Sequence, residues 1–401
     1  MRFLSIGLLA VGLATTTNAA FAQKAYGPGV TDTEIKIGNT MPYSGPASGY
    51  AAEARAETAY YKMINSKGGV NGRKINFLSY DDAYSPPKTV EQTRKLVEQD
   101  GVLALTGTIG SATNAAVQKY MNEKKVPQLF VSTGASRFND PKTYPWTVPL
   151  LLSYVVEGKA AGNYFLQTNP NGKIAILYQN DDAGKDYVKG FKQGLGDKAS
   201  SMIVAEKSYE ITQPTVDAEI VALKYSNADM VFIMATPKFG AQAIKKIGEL
   251  KWKPLTYISS VTASIKGVLE PAGLENSTGL MTALFAKVAA DPRWADAPDV
   301  QEFLAFMKEW MPGEDPGEGS ITTGYYSAWL TTKILTECGD NLTRENLMKV
   351  VTSQSKVAHP LLQPGVTLTI KPDDYSGYKS LQMVRFNGKT WEPIGSIMTV
   401  D

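Results

Sequence analysis

Among its 401 residues the chain has one cysteine, Cys338, and one histidine, His359. A single cysteine rules out an intrachain disulfide and a cysteine metal cluster. A His-based triad or multi-histidine metal site would have to be built on His359 alone, and a lone His before Pro360 reads as a surface or packing residue. There is no GxSxG nucleophile elbow, no GxGxxG fingerprint and no P-loop. Charge is just as sparse: 41 basic against 39 acidic residues leave a net charge of +2, with no basic run to ask for nucleic acid or an anionic membrane surface. Apart from the N-terminal stretch, no segment is apolar enough for a bilayer span. The expectation is therefore a chain that is not an enzyme, with no cofactor and no metal.

What is present is ordinary for a soluble globular protein, with 43% hydrophobic and 20% charged residues, and the length calls for two domains. The first 22 residues carry Arg2, an apolar run of ~12 residues from Phe3 to Ala14, and Ala20-Phe21-Ala22, which reads as a cleaved secretory signal. No cysteine follows the cleavage site, so no lipid anchor is expected there.

Beyond it, apolar runs that read as strands (35–40, 75–80, 102–105, 128–132) alternate with helical patterns (50–66, 88–99, 112–123). That alternation implies a parallel sheet covered on both faces, with ligands outside the carboxyl ends of its strands. Two of the strand-ending turns are rich in hydroxyls and backbone donors, TGTIGS (106–111) and STGAS (132–136). A strand that stops in a glycine-rich turn and opens a helix leaves free N–H groups at the helix start. With the helix dipole and Ser111, the first turn reads either as an anion seat or as an ordinary strand-to-helix turn with a serine cap. The unit then repeats, with strands at 173–178, 202–209, 230–235, 257–260 and 279–285. The acidic pair Asp181/Asp182 could be a catalytic acid/base pair or a solvated turn; no apolar run encloses it, which favours the turn.

MPYSGPASGY, INSKGGVNGRKINFLSYDD, the 105–120 stretch LTGTIGSATNAAVQKY and PQLFVSTGAS follow one another in this order. As a set they resemble the branched-chain amino acid-binding (Leu/Ile/Val-binding) family of type I periplasmic binding proteins, the soluble receptors of ABC importers. The resemblance covers about 30–400. It implies an α/β fold of two doubly wound, Rossmann-like lobes joined by a three-strand hinge, with the ligand cleft between them. On this basis the lobes are expected at 24–147 plus 285–354 and at 148–284 plus 355–401. It further implies a periplasmic monomer that docks on a permease in the inner membrane.

By resemblance, the ligand carboxylate is held at the two hydroxyl turns, by Ser111 and Ser136 with the backbone around Ile109, Gly110, Gly134 and Ala135, and Tyr50 falls on a pocket tyrosine. The opposite wall departs from the family. Val261 stands where an acidic residue would meet an α-ammonium group, Ala183 where a tyrosine is usual, and Tyr154 where an Asp is common. An ammonium group buried without a carboxylate costs several kcal/mol. The expected ligand is therefore a small carboxylic acid without an α-amino group, best a benzoate- or cinnamate-type aromatic acid. Tyr154, Phe239 and Tyr325 would pack on its ring, and Asp182 or Thr236 would bond a distal hydroxyl. A branched-chain amino acid, an amide or an aliphatic acid is the alternative. The family's first-lobe disulfide would fall on Tyr84 and Gly110, so packing alone must hold those loop ends here.

Overall fold

The computed structural model describes residues 24–400. The leader read over residues 1–22 lies outside them.

The first sheet has five parallel strands: β1 (Glu34–Met41), β2 (Lys74–Asp81), β3 (Leu105–Thr106), β4 (Gln128–Val131) and β5 (Thr147–Pro149), in the spatial order β2-β1-β3-β4-β5. The run read as a strand over 102–105 pairs only at Leu105–Thr106. The second sheet begins with five parallel strands: β6 (Ile174–Gln179), β7 (Ile203–Tyr209), β8 (Met230–Met234), β9 (Leu255–Ile258) and β10 (Met281–Leu284). Its last three strands, β11 (Ser380–Phe386), β12 (Trp391–Pro393) and β13 (Met398–Thr399), run antiparallel, giving β7-β6-β8-β9-β10-β11-β12 with β13 also paired to β11. Each sheet is the centre of one lobe. The central strands of both are buried on both faces, as covered parallel sheets require.

A helix late in the chain completes the first lobe. Gly319–Cys338 packs on Ala51–Ser66, and at the crossing a Cβ on Gly324 would stand 2.1 Å from the Glu53 carbonyl oxygen. Only glycine permits that approach. Ser327 donates to Glu57 (2.8 Å) and Thr331 pairs with Thr106 (2.7 Å), which ties this helix to the first sheet. The chain passes between lobes after β5, after β10, and through 354–378, where Gln354–Val357 pairs with Leu368–Ile370.

His359 lies in this last passage and is buried, a packing residue rather than a surface one. Its Nδ1 donates to the Pro360 carbonyl (2.8 Å), its Nε2 accepts from the Tyr378 hydroxyl (2.5 Å), and its ring stacks on Tyr326 at 4.6 Å. Burial brings its pKa down to about 4, so the ring is neutral. Cys338 is buried and free.

Candidate functional site

The turn after β3 sets one end of the site. Gly110, with φ at +96°, caps the helix Ser111–Glu123, and Asn114 N–H to Gly110 O (3.3 Å) closes the first helical bond. The N–H groups of Ser111 and Ala112 precede that bond and point out of the helix start. The Ser111 hydroxyl pairs with Thr133 Oγ1 at 2.7 Å, which joins the two hydroxyl turns. A Cβ on Gly110 would lie 2.5 Å from the Tyr84 ring. The Tyr84 ring thus packs against the Gly110 backbone, and at the two positions where the resemblance would place a disulfide a buried aromatic ring on a glycine stands instead.

A cavity of about 200 Å³ opens between the lobes at this point. Tyr50, Glu53, Tyr84, Ile109, Gly110, Ser111 and Ser132 line it from the first lobe, and Tyr154, Gln179, Ala183, Thr236, Ser260 and Val261 from the second. The hinge side adds 284–288 and part of 317–326, with Phe285 and Tyr326 contributing rings. Gly49, Pro237 and Gly267 are shared with a wider hollow of about 820 Å³ between 45–49 and 211–214, the mouth of the cleft. Burial holds the hydroxyls of Tyr50, Tyr84, Tyr154 and Tyr326 in the protonated form.

Of the residues expected at a ligand, the structure brings Tyr50, Ile109, Gly110, Ser111, Tyr154, Ala183, Thr236 and Val261 to the cavity wall. The others lie elsewhere. Gly134 and Ala135 are turned inward: the Gly134 carbonyl accepts from Tyr154 N–H (3.0 Å) and Ala135 N–H donates to Thr133 Oγ1 (3.2 Å). Ser136 gives both its N–H (2.6 Å) and its hydroxyl (3.0 Å) to the Asp186 carboxylate from across the cleft, so neither donor faces the cavity. Asp182 begins the helix Asp182–Leu195 at the rim and pairs with Arg137 (2.7 Å), while Asp181 caps that helix by accepting from Gly184 N–H (3.0 Å). The acidic pair is a cap and a rim contact. Phe239 is fully buried against Tyr209, ring centres 4.6 Å apart. Tyr325 points into the first lobe, among Tyr60, Phe303 and Phe306 at 4.9–5.2 Å; Tyr326, about 100° further round the helix, is the residue at the cavity.

Glu53 was not anticipated. It comes from the helix Ala51–Ser66, is 2% exposed and lies on the cavity wall. Its Oε2 accepts from the Ser132 hydroxyl (3.0 Å), whereas Oε1 has no hydrogen-bond partner. Burial pushes its pKa up to about 8. Thr236 Oγ1, on the opposite wall, is also buried and unpartnered. The sequence signal was faint: Glu53 and Glu57 lie four apart on one face of an alanine-rich helix, and both are buried.

A second buried acid stands behind the far wall. Glu157 accepts from Tyr187 (2.8 Å), Tyr257 (2.9 Å), Ser260 N–H (2.7 Å) and the Ser260 hydroxyl (2.6 Å). It holds in place the loop that presents Val261. Of the cavity's two other charged side chains, Lys287 is bound by Asp299 (2.7 Å) and Glu318 accepts from Ser264 (2.6 Å). No group of three or more acidic, histidine or cysteine side chains suited to a metal ion occurs among the described residues, and no helix among them is long and apolar enough to cross a membrane.

Comparison with known proteins adds a second line. A family model described as periplasmic binding protein matches residues 34–389. The leucine-specific-binding protein of Salmonella typhimurium is 25% identical over 221 residues, 55% of this chain and 59% of that one. The chain spans little more than half the length of such curated relatives. Among solved structures, a branched-chain amino acid ABC transporter protein from Thermus thermophilus with bound valine superposes with a TM-score of 0.81 at 14% identity, covering 92% of this chain and 97% of that one. A solute-binding protein of an ABC transporter from R. palustris in complex with benzoate gives 0.77 at 20% identity, again covering 92% and 97%. At these identities the structural likeness speaks for the fold.

Proposed function

The chain belongs to the periplasmic binding protein family, and on that premise we propose that it is the solute receptor of an ABC importer whose ligand is a small organic acid without an α-amino group, best an aromatic carboxylate of the benzoate or cinnamate type. One observation carries this reading. The interlobe cavity is walled by Tyr50, Tyr84, Tyr154, Phe285 and Tyr326, and what it offers an anion is Ser111 and the N–H groups of a helix start rather than an unpaired cation. Rings give a flat ligand its contact area, and hydrogen bonds from neutral donors to a carboxylate contribute ~1.5–3 kcal/mol each. Ala183 leaves room that a tyrosine would fill. The leader delivers the receptor to the periplasm, the lobes divide as 24–147 with 285–354 and 148–284 with 355–401, and the monomer closes on its ligand before docking on the permease.

Glu53 favours a second reading. A carboxyl on the cavity wall could face the ammonium group of a branched-chain amino acid. Relatives of this fold hold benzoate in one case and valine in another, so each reading has a precedent. Titration calorimetry against benzoate, 4-hydroxybenzoate, cinnamate, hexanoate, leucine and valine separates them. The first reading expects an aromatic acid to bind most tightly. Tight leucine or valine binding with no response to the aromatic acids would overturn it.

A further inference from the structure

Glu53 and Glu157 are both buried carboxyls within reach of the cleft, yet they are bonded differently. Glu157 has four donors directed at its two oxygens and donates to nothing. A buried ionised carboxylate needs such a setting, because its lone pairs have lost water. Glu53, on the cavity wall, has a single donor, the Ser132 hydroxyl on Oε2, while its buried Oε1 has no partner. One helical turn away lies Glu57, also buried, which accepts from Asn39 (2.9 Å) and Ser327 (2.8 Å). Two carboxylates this close, with no cation beside them, do not both ionise.

The charged and titratable groups around Glu53 can be named element by element. Glu57 lies on its own helix, Tyr50 precedes that helix, and Tyr326 faces it from Gly319–Cys338; each responds to a charge on Glu53. None of them is basic. The cavity's one lysine, Lys287, is committed to Asp299.

We infer that Glu53 enters the complex as a neutral acid whose Oε1–H donates a hydrogen bond to a ligand oxygen, which makes it a specificity-determining residue of the site. The proton belongs on Oε1, since Oε2 already accepts. A ligand that brings an acceptor oxygen completes the set of bonds. A ligand that brings an ammonium group must strip the proton from Glu53 and leave a carboxylate with one protein donor. This selects oxyanions and carbonyl compounds over amines. It rests on the carboxylate-ligand reading above and gives it a mechanism on the first-lobe wall, in place of the missing acid at Val261. A free carboxylic acid kept neutral by its surroundings can act as a donor at neutral pH.

The test uses the full-length mature protein and benzoate. Glu53→Gln keeps a neutral donor and an acceptor of nearly the same shape; Glu53→Leu removes both. We expect Glu53→Gln to bind benzoate within about threefold of the parent and Glu53→Leu to bind tenfold or more weakly. Equal losses in both variants would show that the negative charge is needed, and wild-type affinity in Glu53→Leu would remove the residue from the contact; either result overturns the inference.

Calorimetry of the unmutated protein in buffers of different ionisation enthalpy gives an independent readout. The free-protein pKa is about 8 and an anionic ligand raises it further. Binding should therefore be insensitive to pH below 8 and should weaken above it, with proton uptake of up to one per site. Affinity that rises through this range with proton release would overturn the inference. If the unmutated protein binds leucine or valine and not benzoate, the parent reading is the one that fails. If benzoate binds and Ser111→Ala weakens it while Glu53→Leu does not, only the Glu53 inference fails.

Discussion

The two walls of the cleft treat a buried carboxyl in opposite ways. On the second-lobe side Glu157 is saturated: two tyrosine hydroxyls, a serine hydroxyl and a backbone N–H converge on it, and the loop at Ser260 and Val261 is fixed as a result. On the first-lobe side Glu53, on the cavity wall, has one bond and an oxygen with no partner. The first arrangement is architecture, since every lone pair is used inside the protein. The second leaves capacity for something that is not the protein. Burial alone does not tell a structural acid from a recognising one; the number of bonds left to make does.

That contrast can be broken at its strongest point first. Glu157→Leu would leave two tyrosines, a serine and an N–H without their acceptor, and a lost stability of roughly 3–5 kcal/mol is expected in urea unfolding. A loss below ~1 kcal/mol would mean that the saturated acid holds nothing. Ser111→Ala should sharpen the ligand side of the contrast: benzoate affinity falls by roughly 1–3 kcal/mol in calorimetry, while loss of the bond to Thr133 lowers the stability of the protein by only ~1 kcal/mol. Glu53→Leu, unfolded in the same way, should change stability by no more than ~1 kcal/mol, because it strands only the Ser132 hydroxyl. An effect as large as that of Glu157→Leu would erase the distinction. The smallest change is expected for Ser136→Ala. Its donors serve Asp186 at the cleft rim, so ligand affinity should shift by less than ~1 kcal/mol, and a loss matching Ser111→Ala would return Ser136 to the ligand.

The fold was legible because its signals are local and repeated. Strand runs end in glycine-rich turns and helices follow, and this repetition carries both lobes. Ser111 was legible as a candidate for the same reason, since a turn that ends a parallel strand opens at the sheet's carboxyl edge, and the structure puts it with Gly110 and Ile109, which the resemblance supplied, on the cavity wall. What failed depended on packing between distant segments. Tyr325 and Tyr326 are adjacent in sequence, and only the cluster of Tyr60, Phe303 and Phe306 decides which of them turns inward. Phe239 follows a strand just as a pocket residue would, but Tyr209 claims it. Ser136 has the right chemistry in the right turn, and an aspartate from the other lobe had already taken its donors. Glu53 escaped because a charge within a helix reads as a solvated face; its burial comes from Gly324, 271 positions further along the chain, which lets the second helix close over it.

The Asp186–Ser136 contact also bears on how firmly the two lobes are held together. Together with Arg137–Asp182 and Ser264–Glu318 it spans the two lobes. Such contacts favour this arrangement of the lobes over one in which they part. Every 1.4 kcal/mol contributed by such contacts raises that preference about tenfold. Arg137 and Asp182 keep 38% and 41% of their side-chain surface exposed, in the range where an ion pair contributes only ~0–1 kcal/mol. Fastening at the rim is thus weak, and replacing these contacts with stronger ones would make the two lobes harder to part.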